Sequence, residues 1–150
     1  YSPDDYQVKY LEYAADWLLY RQGHYAQADR NFAKRIEASS EFMRTAHPGQ
    51  SSFELLRSSF LSQSLLFRAL YAYRQSDAAQ TQAFLQQAAS FSRRALGADS
   101  PAAKSATANL EQLRRHGRMI DSTGSSGLPP EELERFNRQV QQTCRSHRSR

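Results

Sequence analysis

Aromatic side chains stand at positions 6, 10, 13, 17 and 20, the three-and-four spacing that lines one face of an α-helix. Lys9, Glu12 and Asp16 fall on another side, and Leu11, Ala15, Leu18 and Leu19 form a second, less regular apolar strip. Helical periodicity continues down the chain, and every glycine and proline sits at a break in it. Six helices are predicted. Ser2-Pro3-Asp4-Asp5 opens the first with a hydroxyl cap, a proline in the first turn and two acids at the positive helix end. Gly23-His24 ends it after about Gln22. The second runs from about Tyr25 to Thr45, where His47-Pro48-Gly49 intervenes. Ser51-Ser52-Phe53-Glu54 reads as a capping box for a third helix reaching about Gln75. Ser76-Asp77 starts a fourth that Gly97 closes, and Ser100-Pro101 starts a fifth that ends at about His116, before Gly117. Residues 121–127 have the composition of a flexible linker, after which Pro129-Pro130-Glu131-Glu132 begins a last helix to about Thr143. The layout expected is a helical unit over 1–118, a linker over 119–128, and a C-terminal helix with a basic tail over 129–150.

Composition agrees with an all-α chain. Valine and isoleucine appear only at Val8, Ile36, Ile120 and Val140, far too few for sheets, which favour β-branched residues. A content of 39% hydrophobic and 11% aromatic residues is enough for a core, which excludes wholesale disorder. The longest apolar runs are a few residues, so no helix here spans a bilayer. The net charge of +5 is uneven: residues 1–75 carry nine basic and eight acidic groups, residues 76–150 eleven and seven. Only Lys9, Lys34 and Lys104 are lysines, so 17 of the 20 basic residues are arginines, and Arg138 to Arg150 holds four of them with no acid. Such a surplus suits phosphates or an acidic partner. Cys144 is the one cysteine, so neither an internal disulfide nor a thiolate metal cluster can form. The chain begins at Tyr1 rather than methionine, which reads as a processed or excised chain and leaves the compartment open.

The turns repeat. Tyr20-Arg21-Gln22-Gly23 recurs as Tyr73-Arg74-Gln75-Ser76 and, loosely, as Arg114-Arg115-His116-Gly117. The stretch from Tyr20 to Phe32 resembles the turn and second helix of a tetratricopeptide repeat. Gly23, Tyr25, Ala28 and Phe32 hold that motif's glycine, aromatic, small and aromatic places. Residues 88–117, with Ala95-Leu96-Gly97 followed by Pro101 and Asn109-Leu110, resemble the longer repeats of kinesin-light-chain type. Asp16 stands where the family has glycine or alanine. The resemblance spans about residues 8–118. It implies antiparallel helical hairpins stacked as a short right-handed array with a C-terminal capping helix, whose first helices line a concave groove.

With Gly23 as the turn, the family register implies a groove lined by Tyr10, Tyr13, Trp17, Tyr20 and Arg21 from the first helix. From the third helix it implies Gln63, Leu66, Leu70, Tyr73 and Arg74. Read independently, the Tyr/Trp stripe suits a ligand surface, because tyrosine and tryptophan serve as interface anchors, while the Leu/Ala strip suits packing on the next helix. Two other uses of the same rings are open: packing within the domain, with the last helix folded back across them, and a homodimer seam. Arg21, Arg74 and Arg115 would form a cationic row along one edge. The groove lacks the lysine, asparagine and arginine set that the family uses to clamp a chaperone's terminal carboxylate.

Catalysis finds little footing. His24, His47, His116 and His147 sit at turns or in the tail without helical ligand spacing, so neither a metal nor a cofactor is expected. Cys144 and His147 lie in a terminal segment without a walled site. Asp4/Asp5 and Glu131/Glu132 are accounted for as helix starts. The function expected is therefore a non-catalytic interaction module, a scaffold, adaptor or chaperone that holds a protein or peptide in the aromatic groove. The alternative is nucleic-acid or acidic-partner binding through the arginine-rich second half.

Overall fold

The computed structural model describes residues 3–117, with side chains from Gln7 onward; the expected linker at 119–128 and C-terminal helix and tail at 129–150 lie outside the described residues. Six helices occur among them and no strand: α1 (Pro3–Arg21), α2 (Tyr25–Ala38), α3 (Ser40–Thr45), α4 (Ser52–Arg74), α5 (Ala78–Leu96) and α6 (Pro101–His116).

Local chemistry accounts for the boundaries. Ser51 and Glu54 cap α4 reciprocally, the serine hydroxyl accepting from the Glu54 N–H and the glutamate accepting from the Ser51 N–H. Asp77 caps α5 through the Gln80 N–H, and Ser100 caps α6 through the Ala103 N–H with Pro101 at its first turn. The two Tyr-Arg-Gln turns are the same structure. Gly23 and Ser76 both have positive φ, 90° and 58°. The residue after each, His24 or Asp77, donates its N–H five residues back, to the carbonyl of Leu19 or Ala72. This is the bond that closes a helix through a left-handed residue.

The second predicted helix is in fact two. Tyr25–Ala38 stops at Ser39, which has φ −102° and ψ 8°, and Ser40–Thr45 forms a separate short helix. Two adjacent serines supply the reason, since their hydroxyls compete with the helix ladder. Ser40 donates to the Glu37 carbonyl, and the buried Ser39 accepts from Arg57 of α4.

Tertiary contacts link the helices in sequence. Tyr13 meets Phe32, Asp16 meets Asn31 and Arg35, and Tyr20 meets Tyr25, so α1 and α2 run antiparallel. Phe32 on Phe67 and Asp29 on Arg68, with Ser39 on Arg57, make α2 and α4 antiparallel. Ser62 bonds Ser92 while Arg68 covers Phe84, which reverses direction again between α4 and α5. Arg93 on Thr107 does so between α5 and α6. Helices α1 and α4 run parallel, with Tyr10 against Phe60 at one end and Tyr20 against Phe67 at the other.

Helix α4 is the centre of the described helices. Phe60, Leu61, Leu65, Leu66, Phe67, Ala69, Leu70 and Ala72 are buried along it, together with Ser58, Ser62 and Ser64. A helix covered nearly all round is what packing from α1 and α2 on one side and α5 on the other requires.

Of the uses open to the aromatic stripe of α1, packing within the domain is the one seen, and the Leu/Ala strip does not take the packing role expected of it. Tyr10, Tyr13, Trp17 and Tyr20 join the core, whereas Ala15 and Leu18 of the Leu/Ala strip are exposed, Leu11 is half-buried and only Leu19 packs inward. The Tyr10, Tyr13 and Tyr20 rings meet the Phe32, Phe60 and Phe67 rings of α2 and α4, and tilted or stacked ring pairs add to the area they bury.

Candidate functional site

The ten residues expected to line a groove divide into two groups. Tyr10, Tyr13, Trp17, Tyr20, Leu66 and Leu70 are core side chains, none more than 7% exposed. Tyr13 stacks on Phe60 at 4.8 Å and donates its hydroxyl hydrogen to Gln63 Oε1 at 2.6 Å. Gln63 is half-buried as its acceptor. Burial pushes the Tyr13 hydroxyl well above its ordinary range, with Arg35 nearby opposing part of the effect. A ligand groove or a homodimer seam on these rings requires an exposed stripe, whereas the rings are inside the protein.

Arg21, Tyr73 and Arg74 stay at the surface. Arg21 lies over Trp17 at 5.0 Å, and Arg74 lies over Tyr25 at 4.4 Å while donating to the Tyr20 hydroxyl. Both arginines thus cover aromatic faces beside the repeated turns. Arg115, the third member of the expected row, is paired with Glu111 on its own helix at 2.7 Å.

Two open features are formed by other residues. The first is a cleft of about 550 Å³ among α1, α2 and α4, with Asp16 at its floor and Lys9, Glu12, Lys34 and Arg57 among its walls. Its floor charge is already neutralised, because Asp16 accepts from Asn31 on one oxygen and from Arg35 on the other, both at 2.7 Å. Asp16 is thus held in a structural ion pair.

The second is a cleft of about 910 Å³ between α5 and α6. Ala89 and Leu110 give it an apolar floor, and Arg93, Arg94, Arg114 and Arg115 stand around it, with Glu111 the one acidic lining residue among the described residues. Because α5 and α6 are antiparallel, Arg93 and Arg94 sit at one end and Arg114 and Arg115 at the other, about 10 Å apart along the helices. Arg93 donates to the Thr107 hydroxyl and Arg94 to the Met43 carbonyl, both neutral acceptors. Glu111 offsets Arg115, so among the described residues Arg93, Arg94 and Arg114 have no carboxylate partner. Three uncompensated guanidiniums on one cleft create a local positive field.

The signal for this cleft was present in the sequence as two arginine pairs at the ends of consecutive helices. Only the hairpin through Gly97–Ser100 makes them two ends of one cleft.

No protein-family model, curated protein or solved structure matches the chain. Over the described residues the chain is all-helical, with six helices packed on one another. None of these helices is long and apolar enough to cross a membrane, and no group of three or more His, Cys, Asp or Glu among the described residues is placed to hold a metal ion.

Proposed function

We propose that the chain is a non-catalytic interaction module that holds an acidic segment of a partner protein against α5 and α6, as a scaffold, adaptor or chaperone does. One observation carries this reading: Arg93, Arg94 and Arg114 border an open cleft without carboxylate partners among the described residues. Arginine is suited to the task, because its planar fork binds carboxylates bidentately. The aromatic groove is not part of the proposal, since its rings are occupied in the core. We likewise infer a tetratricopeptide-like arrangement of the helix pairs. It is supported by the matching turns at Gly23 and Ser76, by positive φ at Gly117, and by the parallel placement of α1 and α4 beside antiparallel α1–α2 and α4–α5.

The test is a titration of the whole chain with a glutamate-rich peptide of about ten residues, at low and high salt. A length-matched single-stranded oligonucleotide is the comparison. The peptide is expected to bind, and Arg93→Glu/Arg114→Glu to weaken it at least about tenfold, because like charges then face each other. Both side chains are exposed, so the variant should unfold at the wild-type temperature. Binding of the oligonucleotide alone, with affinity falling steeply in salt, would replace this reading by a nucleic-acid one.

A further inference from the structure

The arginine cleft is half of a larger feature. On the other flank of α5 lies a second cleft of about 590 Å³, walled by Ile36 and Met43 from α2 and α3 and by Ala83, Gln87 and Phe91 from α5. Gln86, Ser90 and Arg94 line both clefts. Spaced four apart, they form one row, the crest of α5 between the two depressions. The crest is low, since Ser90 at its middle has one of the smallest polar side chains.

The two flanks differ in chemistry. Toward α6 they carry the unneutralised arginines. Toward α2 and α3 the described lining residues are apolar or uncharged apart from Arg94 itself. Arg94 stands at the joint, because it donates to the Met43 carbonyl at 2.5 Å and lies over Phe91 at 5.9 Å. A guanidinium held this way keeps its remaining donors at a fixed place on the crest.

We infer that the two clefts are one bipartite recognition surface, and that its occupant is an acidic amphipathic helix of a partner protein. The inference rests on the acidic-partner reading and specifies the partner. Carboxylates of that helix meet Arg93, Arg94 and Arg114, and an apolar side chain on the adjoining face enters between Ile36, Met43 and Phe91. From Ala83 to Arg94 the axis of α5 rises about 16 Å, which a partner helix covers with about eleven residues, or three turns. A helix presents acidic and apolar stripes side by side in the way these flanks require. A purely acidic segment leaves the Met43 flank empty, and a phosphate backbone has no apolar side chain to place there.

Three peptides of about twelve residues test this on the full chain. One carries glutamates on one helical stripe and two leucines on the next. The second has serine for both leucines. The third scrambles the order of the first. The leucine peptide is expected to bind about tenfold or more tightly than the serine peptide, since each buried leucine contributes on that scale, and to gain helical circular dichroism on binding. Met43→Gln should erase that advantage while leaving the serine peptide's affinity unchanged. Ile36→Gln serves as the second variant if Met43→Gln lowers the unfolding temperature. Equal affinity for the leucine and serine peptides would overturn the bipartite surface and leave the acidic-partner reading standing, whereas no affinity for any peptide would overturn both. A dimer of the chain alone that Met43→Gln dissolves would put a second copy there and overturn the inference.

Discussion

Tyr13 on α1 donates its hydroxyl hydrogen to Gln63 on α4 at 2.6 Å, across 50 positions of sequence. The ring beneath is fully buried, stacked on Phe60 and tilted against Phe32. Tyr13→Phe keeps the ring and removes one hydrogen bond, and it should cost about 1 kcal/mol. Tyr13→Ala removes the ring and should cost about 3–5 kcal/mol. Urea unfolding of both variants checks the ranking, and a neutral Tyr13→Ala would contradict the core assignment.

The same burial makes stability depend on alkaline pH. Folded Tyr13 holds its proton well above the usual tyrosine range, whereas the unfolded chain releases it near pH 10. Above that pH the unfolded state binds fewer protons, so stability falls as pH rises. Denaturant midpoints measured between about pH 9 and 11 should decline more steeply for the wild type than for Tyr13→Phe.

Asp16 and Arg35 form an ion pair whose side chains are only 10% and 17% exposed. Removing one member leaves the other's charge in a desolvated place, so Asp16→Ala should cost about 3 kcal/mol or more. Asp16→Ala/Arg35→Met removes both charges, and it should recover a large part of that loss. A double-mutant cycle by thermal or chemical unfolding decides. Losses that simply add would show that the pair is not coupled.

Ser58 is fully buried, and its hydroxyl makes no hydrogen bond. Burying an unsatisfied hydroxyl is unfavourable, so Ser58→Ala should raise stability by about 1 kcal/mol. A decrease in the unfolding midpoint would mean that the hydroxyl has a partner.

The twin turns give paired expectations of opposite sign. Ser76 adopts φ 58°, a left-handed conformation that an L side chain disfavours, so Ser76→Gly should stabilise by up to about 1 kcal/mol. Gly23→Ala should destabilise by about 1 kcal/mol, and by backbone strain alone, since a Cβ there meets nothing within 4 Å. Equilibrium unfolding of the two variants reads both signs at once.

Helix limits were legible because they depend on a few neighbouring residues. The Ser51/Glu54 capping box, the Asp77 and Ser100 caps and the left-handed turns at Gly23, Ser76 and Gly117 all act within five positions of chain. The break at Ser39 was less legible, because part of what holds it is Arg57, 18 residues away. The inward face of α1 was legible only as one of several uses open to its aromatic stripe. Periodicity says which residues share a side of a helix, and α1 has two sides that can be buried. The choice between them fell to Phe32, Phe60 and Phe67, rings supplied by two other helices. The candidate site was split in the same way. Arg93, Arg94, Arg114 and Arg115 were visible as two arginine pairs in a basic second half, and sequence alone determined their charge. The antiparallel packing of α5 and α6 decided that the pairs border one cleft, and the packing of α2 and α3 beside α5 set an apolar cleft next to it. A local pattern determines what a residue can do, whereas its neighbours in space are chosen by contacts far apart in the chain.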